Sequence, residues 1–204
     1  MTGKSKFWQR LFSFALALVM VLGWLPPLRV SASEKTVTLF TAQVTKDEQQ
    51  SPAKYTVTVK DWGQQDVTTE ADITWHFEGE GEREGETVSS DADFQNAEVT
   101  WQGLTLTVDQ LGSSVSREGT FSWPDTINAG DPIQQPALAT EGFTGTIPWS
   151  ITQVDGNAVQ AGDIATVEMG KLTAKATISG QEVTFTATVV PAPVHVNQVE
   201  PAAG

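Results

Sequence analysis

The sequence predicts an all-β chain, folded as a sandwich or barrel and placed behind an N-terminal export signal. Three observations carry that expectation: apolar and polar side chains alternate with period two, turn-forming residues recur at short intervals, and the N-terminus is first basic, then apolar. The first two mark many short half-buried strands. The third marks a secretory leader.

The leader has its zones in order. Lys4, Lys6 and Arg10 form a positive start, the run from Leu11 to Leu25 is almost wholly apolar, and Pro26-Pro27 ends any helix there. Val30 and Ala32 fit the −3 and −1 positions of a cleavage between Ala32 and Ser33. An apolar run of about 15 residues falls short of the roughly 20 needed to span a bilayer, so removal is expected rather than retention as an anchor. Residues 1–32 are therefore read as a signal peptide, with no membrane span after its cleavage.

Strands follow. In Tyr55-Thr56-Val57-Thr58-Val59-Lys60 the apolar side chains fall on one face and the polar ones on the other. Ile73, Trp75 and Phe77 alternate with Asp72, Thr74 and His76, and Leu104, Leu106 and Val108 with Thr105, Thr107 and Asp109. Near the C-terminus Val183, Phe185, Ala187 and Val189 alternate with Glu182, Thr184, Thr186 and Thr188. Asp61-Trp62-Gly63, Gly112-Ser113-Ser114, Asp155-Gly156-Asn157, Gly162-Asp163 and Ser179-Gly180 supply turns between such runs. No segment after the leader keeps a helical period over three turns, and helix is expected for a turn or two at most, near Asp91 to Asn96.

An internal echo divides the chain. DITWHF (Asp72 to Phe77) is matched by TIPWSI (Thr146 to Ile151), and AEVTWQGLTLTV (Ala97 to Val108) by ATVEMGKLTAKATI (Ala165 to Ile178). Two copies of one module are expected, at residues 33–122 and 123–190, meeting near Ser122-Trp123-Pro124-Asp125. Pro191-Ala192-Pro193 then opens a Pro/Ala-rich tail or linker, residues 191–204, with no LPxTG sortase signal. The chain is expected either to be released or to continue into a longer modular protein.

YTVTVKDWGQQDVTTEADITW, VEMGKLTAKATISG and EVTFTATVV resemble the bacterial immunoglobulin-like (Big) domains of cell-surface proteins. In that family a strand ending in Lys-Asp and a glycine turn precedes a Val/Ile-Thr-Trp strand, and a Gly-x-Leu-Thr strand follows. This chain departs from the pattern in a long acidic insertion after Phe77 and in a Pro- and Gly-rich start to the second copy. The resemblance implies two tandem immunoglobulin-like β-sandwiches without disulfides, acting as spacer, adhesin stalk or binding module.

Charge and cysteine usage narrow the partners. Residues 1–32 hold four of the twelve Lys and Arg and no Asp or Glu, which leaves eight basic against 25 acidic side chains. Phosphate backbones and anionic membranes repel such a chain, so no nucleic acid is expected. With no cysteine, the modules must be held by their apolar cores, and thiolate chemistry is absent.

The acidic insertion interleaves Glu78, Glu80, Glu82, Glu84 and Glu86 with Gly79, Gly81, Arg83 and Gly85. Extended, it would set five carboxylates on one face; their repulsion favours a solvated hairpin loop, and calcium binding by this loop is the rival reading. His76 and His195 stand without GxSxG or HExxH motifs and read as surface residues. Trp75, Trp101 and Trp149 read as core, with Trp62 and Trp123 open between core, junction and a sugar-stacking face. No catalytic residue, metal ligand or cofactor is assigned, and the ligand-binding residues are unknown. The function expected is a secreted or surface-associated, non-enzymatic structural or adhesive module with a cell-surface protein or glycan as partner. The alternative is a carbohydrate-binding module.

Overall fold

Alternating Thr/Val runs become strands throughout the computed structural model, which describes residues 31–193. The expected signal peptide lies outside the described residues up to residue 30, as do residues 194–204 of the tail with His195.

The first strands are β1 (Ala32–Asp47), β2 (Ala53–Asp61), β3 (Asp72–Phe77), β4 (Arg83–Glu84) and β5 (Thr87–Ser90). Then come β6 (Phe94–Trp101), β7 (Leu104–Val108), β8 (Ser114–Pro124), β9 (Thr126–Asn128) and β10 (Ala137–Leu138). β11 (Ser150–Thr152), β12 (Ala158–Val159), β13 (Lys171–Ile178) and β14 (Gln181–Val190) complete the order. Helix among the described residues is confined to two 3-10 turns, Thr68–Glu70 and Val167–Met169. The helical turn expected near Asp91 to Asn96 is not formed. Ser90 Oγ accepts from the Ala92 amide at 3.0 Å to make a tight turn, and from Phe94 the chain pairs with β3.

Three sheets result. The first has the order β10-β8-β1-β2-β5, the second β4-β3-β6-β7 and the third β12-β11-β13-β14-β9. Every pairing is antiparallel except that of β14 with β9. The first and second sheets meet through rings: Tyr55 of β2 stands edge-on to Trp75 and Phe77 of β3 at 6.4 and 5.0 Å, and Phe40 of β1 lies 5.7 Å from Trp101 of β6. The first and third sheets meet through Phe121 of β8, 5.3 Å from Trp149, which is in turn 5.5 Å from Phe185 of β14. Such ring pairs contribute about 0.5–1.5 kcal/mol each beyond the area they bury.

β1 serves both layers. Its second half, Phe40 to Asp47, pairs with β2, while its first half, Ala32 to Thr38, pairs with β8 beyond the reach of β2. The register with β8 breaks between Thr38 and Phe40, leaving Leu39 as an extra residue. A bulge lets neighbouring side chains depart from strict alternation, and here Leu39 and Phe40 are both fully buried. β8 runs on through a bend at Asp125 into β9, passing from the first sheet to the third. Residues 122 and 123, where the sequence divides the chain, are consecutive in β8 and face Glu34 and Ser33 of β1.

Candidate functional site

The acidic insertion folds back on itself. Residues 78–80 turn, with Gly79 at φ 70° and the Glu80 amide donating to the Phe77 carbonyl, and β4 then returns alongside β3. The reversal breaks the alternation that would have aligned five carboxylates. Arg83 faces Trp75 across this hairpin; its guanidinium pairs with Glu80 at 2.9 Å, donates to the Ser89 carbonyl and lies 5.9 Å from the Phe77 ring centroid. Trp75 Nε1 donates to the Gly85 carbonyl at 2.6 Å, fastening the base of the hairpin to the core. Among the described residues no three His, Asp or Glu side chains converge to hold a metal ion, and Arg83 sets a positive charge against Glu80 in the hairpin.

The tryptophans point inward. Trp75, Trp101, Trp123 and Trp149 are buried, as expected for three of them, and Trp123 donates to the Gln134 carbonyl at 2.8 Å. Trp62 is half-buried against the core, and its carbonyl accepts from the Ser179 amide at 2.6 Å. A sugar-stacking platform needs exposed ring faces, and among the described tryptophans Trp62 is the most exposed.

His76 differs from the surface residue expected. It is half-buried on β3, and its Nε2 is shielded from solvent with no hydrogen-bond partner, as is Oδ1 of Asn96 directly across on β6.

A groove of about 450 Å³ opens between Lys35 to Thr38 of β1 and the Ser179–Val183 end of the β13–β14 hairpin. Ser179 Oγ closes its floor by donating to the Thr38 carbonyl at 3.2 Å. On its flank Lys175 pairs with Glu182 at 2.9 Å, and this hydrogen bond, with the lysine charge, holds the Glu182 carboxyl below the usual carboxylate range. The groove results from β1 outrunning β2, a feature no local pattern in the sequence announces.

Asp125 is the third place where distant segments converge. Its carboxylate accepts from Ser33 Oγ at 2.5 Å and its carbonyl from the Thr188 amide at 2.9 Å. The Val190 carbonyl accepts from the Ala129 amide at 2.7 Å just beyond.

No helix among the described residues is long and apolar enough to cross a membrane. Comparison with family models, curated proteins and solved structures found no match to this chain.

Proposed function

We propose that this is a secreted or surface-associated bacterial protein acting as a non-enzymatic structural or adhesive module, with immunoglobulin-like halves fused through β1 and β8. The observation that carries the reading is the division of labour between faces. Large aromatic side chains are turned into the core, whereas outward positions carry hydroxyls and acids. Thr36 meets Thr120 at 3.0 Å, Thr56 meets Thr87 at 3.4 Å and Thr100 meets Thr105 at 2.7 Å, each pair directly opposed on an exposed ladder. Cross-strand pairs of this kind stabilise a solvated sheet face without offering an apolar cleft.

The export signal and the resemblance to Big domains support placement outside the cytoplasm. Binding of cells or of a surface protein, without turnover of any substrate and without tryptophan fluorescence changes on adding glycans, is the expected result for an adhesive module. A fluorescence response to wall or plant glycans would favour the carbohydrate-binding alternative, with Trp62 as the reporter. Fractionating the producing cells tests the placement: recovery in medium, wall or membrane supports it, and recovery in the cytoplasm overturns it.

A further inference from the structure

We infer that the module is mounted from a single pole, with both ends of the folded chain leaving beside Asp125 and the opposite pole presented about 50 Å away. β1 starts at Ala32, opposite Pro124, and β14 ends at Val190, opposite Asn128. Asp125 stands between those partners and binds both terminal strands, through Ser33 and Thr188. Whatever precedes residue 32 and whatever follows residue 190 therefore departs from the same place.

The far pole is set by the other end of β1. Sixteen residues at about 3.3 Å each carry Asp47 roughly 50 Å from Ala32. Residues 48–52 turn there into β2, and Ser90, paired with Ala53, brings the β5–β6 turn alongside. The Glu78 amide donates to the Asp93 carbonyl at 2.9 Å, which adds the acidic hairpin, and the Gly112 amide donates to the Val44 carbonyl at 2.8 Å, which adds residues 109–113. Four loops thus share the pole most distant from both chain ends.

An in-line spacer hands its load from one pole to the other and needs its ends apart. This chain has them together, so it caps or branches from whatever carries it and holds its four-loop pole outward. Outward display rests on the surface reading above; the placement of the ends does not.

The chain has no cysteine, so introduced thiols report without background. Spin labels on Glu34→Cys with Ala192→Cys should lie within about 30 Å, because four residues separate Ala192 from the Thr188 contact and each spans at most about 3.6 Å. Labels on Glu34→Cys with Gln50→Cys should lie about 40–50 Å apart. A 34–192 distance equal to or longer than the 34–50 distance overturns the single-pole mount. On intact producing cells, an impermeant maleimide should react several-fold faster with Gln50→Cys than with Asn128→Cys. Equal rates, with the protein on the cells, overturn outward display. Protein found only in the medium sinks surface attachment and display together, while the spin-label distances still decide where the ends lie.

Discussion

The two halves of the molecule are stabilised differently, although their sequences echo one another. The first and second sheets are built from strands of four or more residues, apart from two-residue β4 and β10, around a cluster in which Tyr55, Trp75, Phe77 and Phe94 lie 5.0–6.4 Å from one another. The third sheet has two long strands, β13 and β14, flanked by β9, β11 and β12 of two or three residues. Its ring partner Phe121 and its cation Lys35, 5.9 Å from the Phe185 centroid, both come from the first sheet. Repetition of a motif therefore does not make two equal domains. One continuous core runs through both halves, but the larger ring group lies between the first and second sheets, and the third sheet is completed by β1 and β8.

The largest effect should come from cutting the halves apart. A fragment of residues 33–122 keeps β1 to β7 and most of β8, and should unfold cooperatively. A fragment of residues 123–190 loses Phe121 and all of β1 and should show no sharp thermal transition by circular dichroism. Cooperative unfolding of the second fragment would show that the shared strands are dispensable. Within the whole chain, Trp75→Ala should cost about 3–5 kcal/mol, because it leaves a cavity and removes the donor to the Gly85 carbonyl. Phe185→Ala, in the smaller ring group, should fall at or below the low end of that range in denaturant titration.

Strand positions were legible where both faces of a sheet differ in polarity. Ile73, Trp75 and Phe77, then Leu104, Leu106 and Val108, then Val183, Phe185, Ala187 and Val189 are all buried as their alternation requires. Alternation reports only which way a side chain points, so it is silent about edges. Nothing in Ser33-Glu34-Lys35-Thr36 distinguishes a strand that ends with its module from one that runs on beside β8 into the next layer. The bulge at Leu39 was hidden for a related reason: two adjacent buried residues in Leu39-Phe40 look like a lapse in pattern until the register shift is seen. The acidic insertion was legible as a hairpin, but the role of Arg83 depends on Glu80, Ser89 and Phe77 meeting it in space.

The seam between the halves is also testable at a single atom. Gly103, in the β6–β7 turn at φ +77°, packs so closely on the 142–144 segment that a Cβ there would stand 2.1 Å from the Gly142 carbonyl oxygen. Beside it the Thr144 amide donates to the Gln102 carbonyl at 2.9 Å, and Phe143 lies 6.3 Å from Trp101. Gly103→Ala meets both a left-handed backbone and a backbone clash, and should destabilise by about 1–3 kcal/mol. Gly156→Ala also has a positive φ but open space around it, and separates the two causes. Equal losses at both positions would mean that strain alone, and not the seam, sets the cost.

The smallest expected effects concern acid, at one carboxylate in each half. Asp66 Oδ1 accepts from the Thr68 hydroxyl at 2.6 Å and from the Thr68 amide at 3.0 Å, and Thr68 Oγ1 accepts from the Val59 amide at 2.9 Å. These two bonds from Thr68 hold the Asp66 carboxyl below its ordinary value. Because the folded pKa is the lower one, the contribution is whole above the unfolded value near about 3.9 and is lost as pH falls through the folded value. Glu182 follows the same sign through Lys175. Asp66→Asn keeps an acceptor oxygen but cannot titrate, so its melting temperature should fall less steeply than the parent's below about pH 4. Lys175→Ala should flatten the same limb by a smaller amount, because that ion pair is exposed on both sides and screened by solvent. An acid limb unchanged by Asp66→Asn would place the proton uptake elsewhere, and the Thr68 bonds would then be fixing the strand-to-turn geometry without tuning the charge.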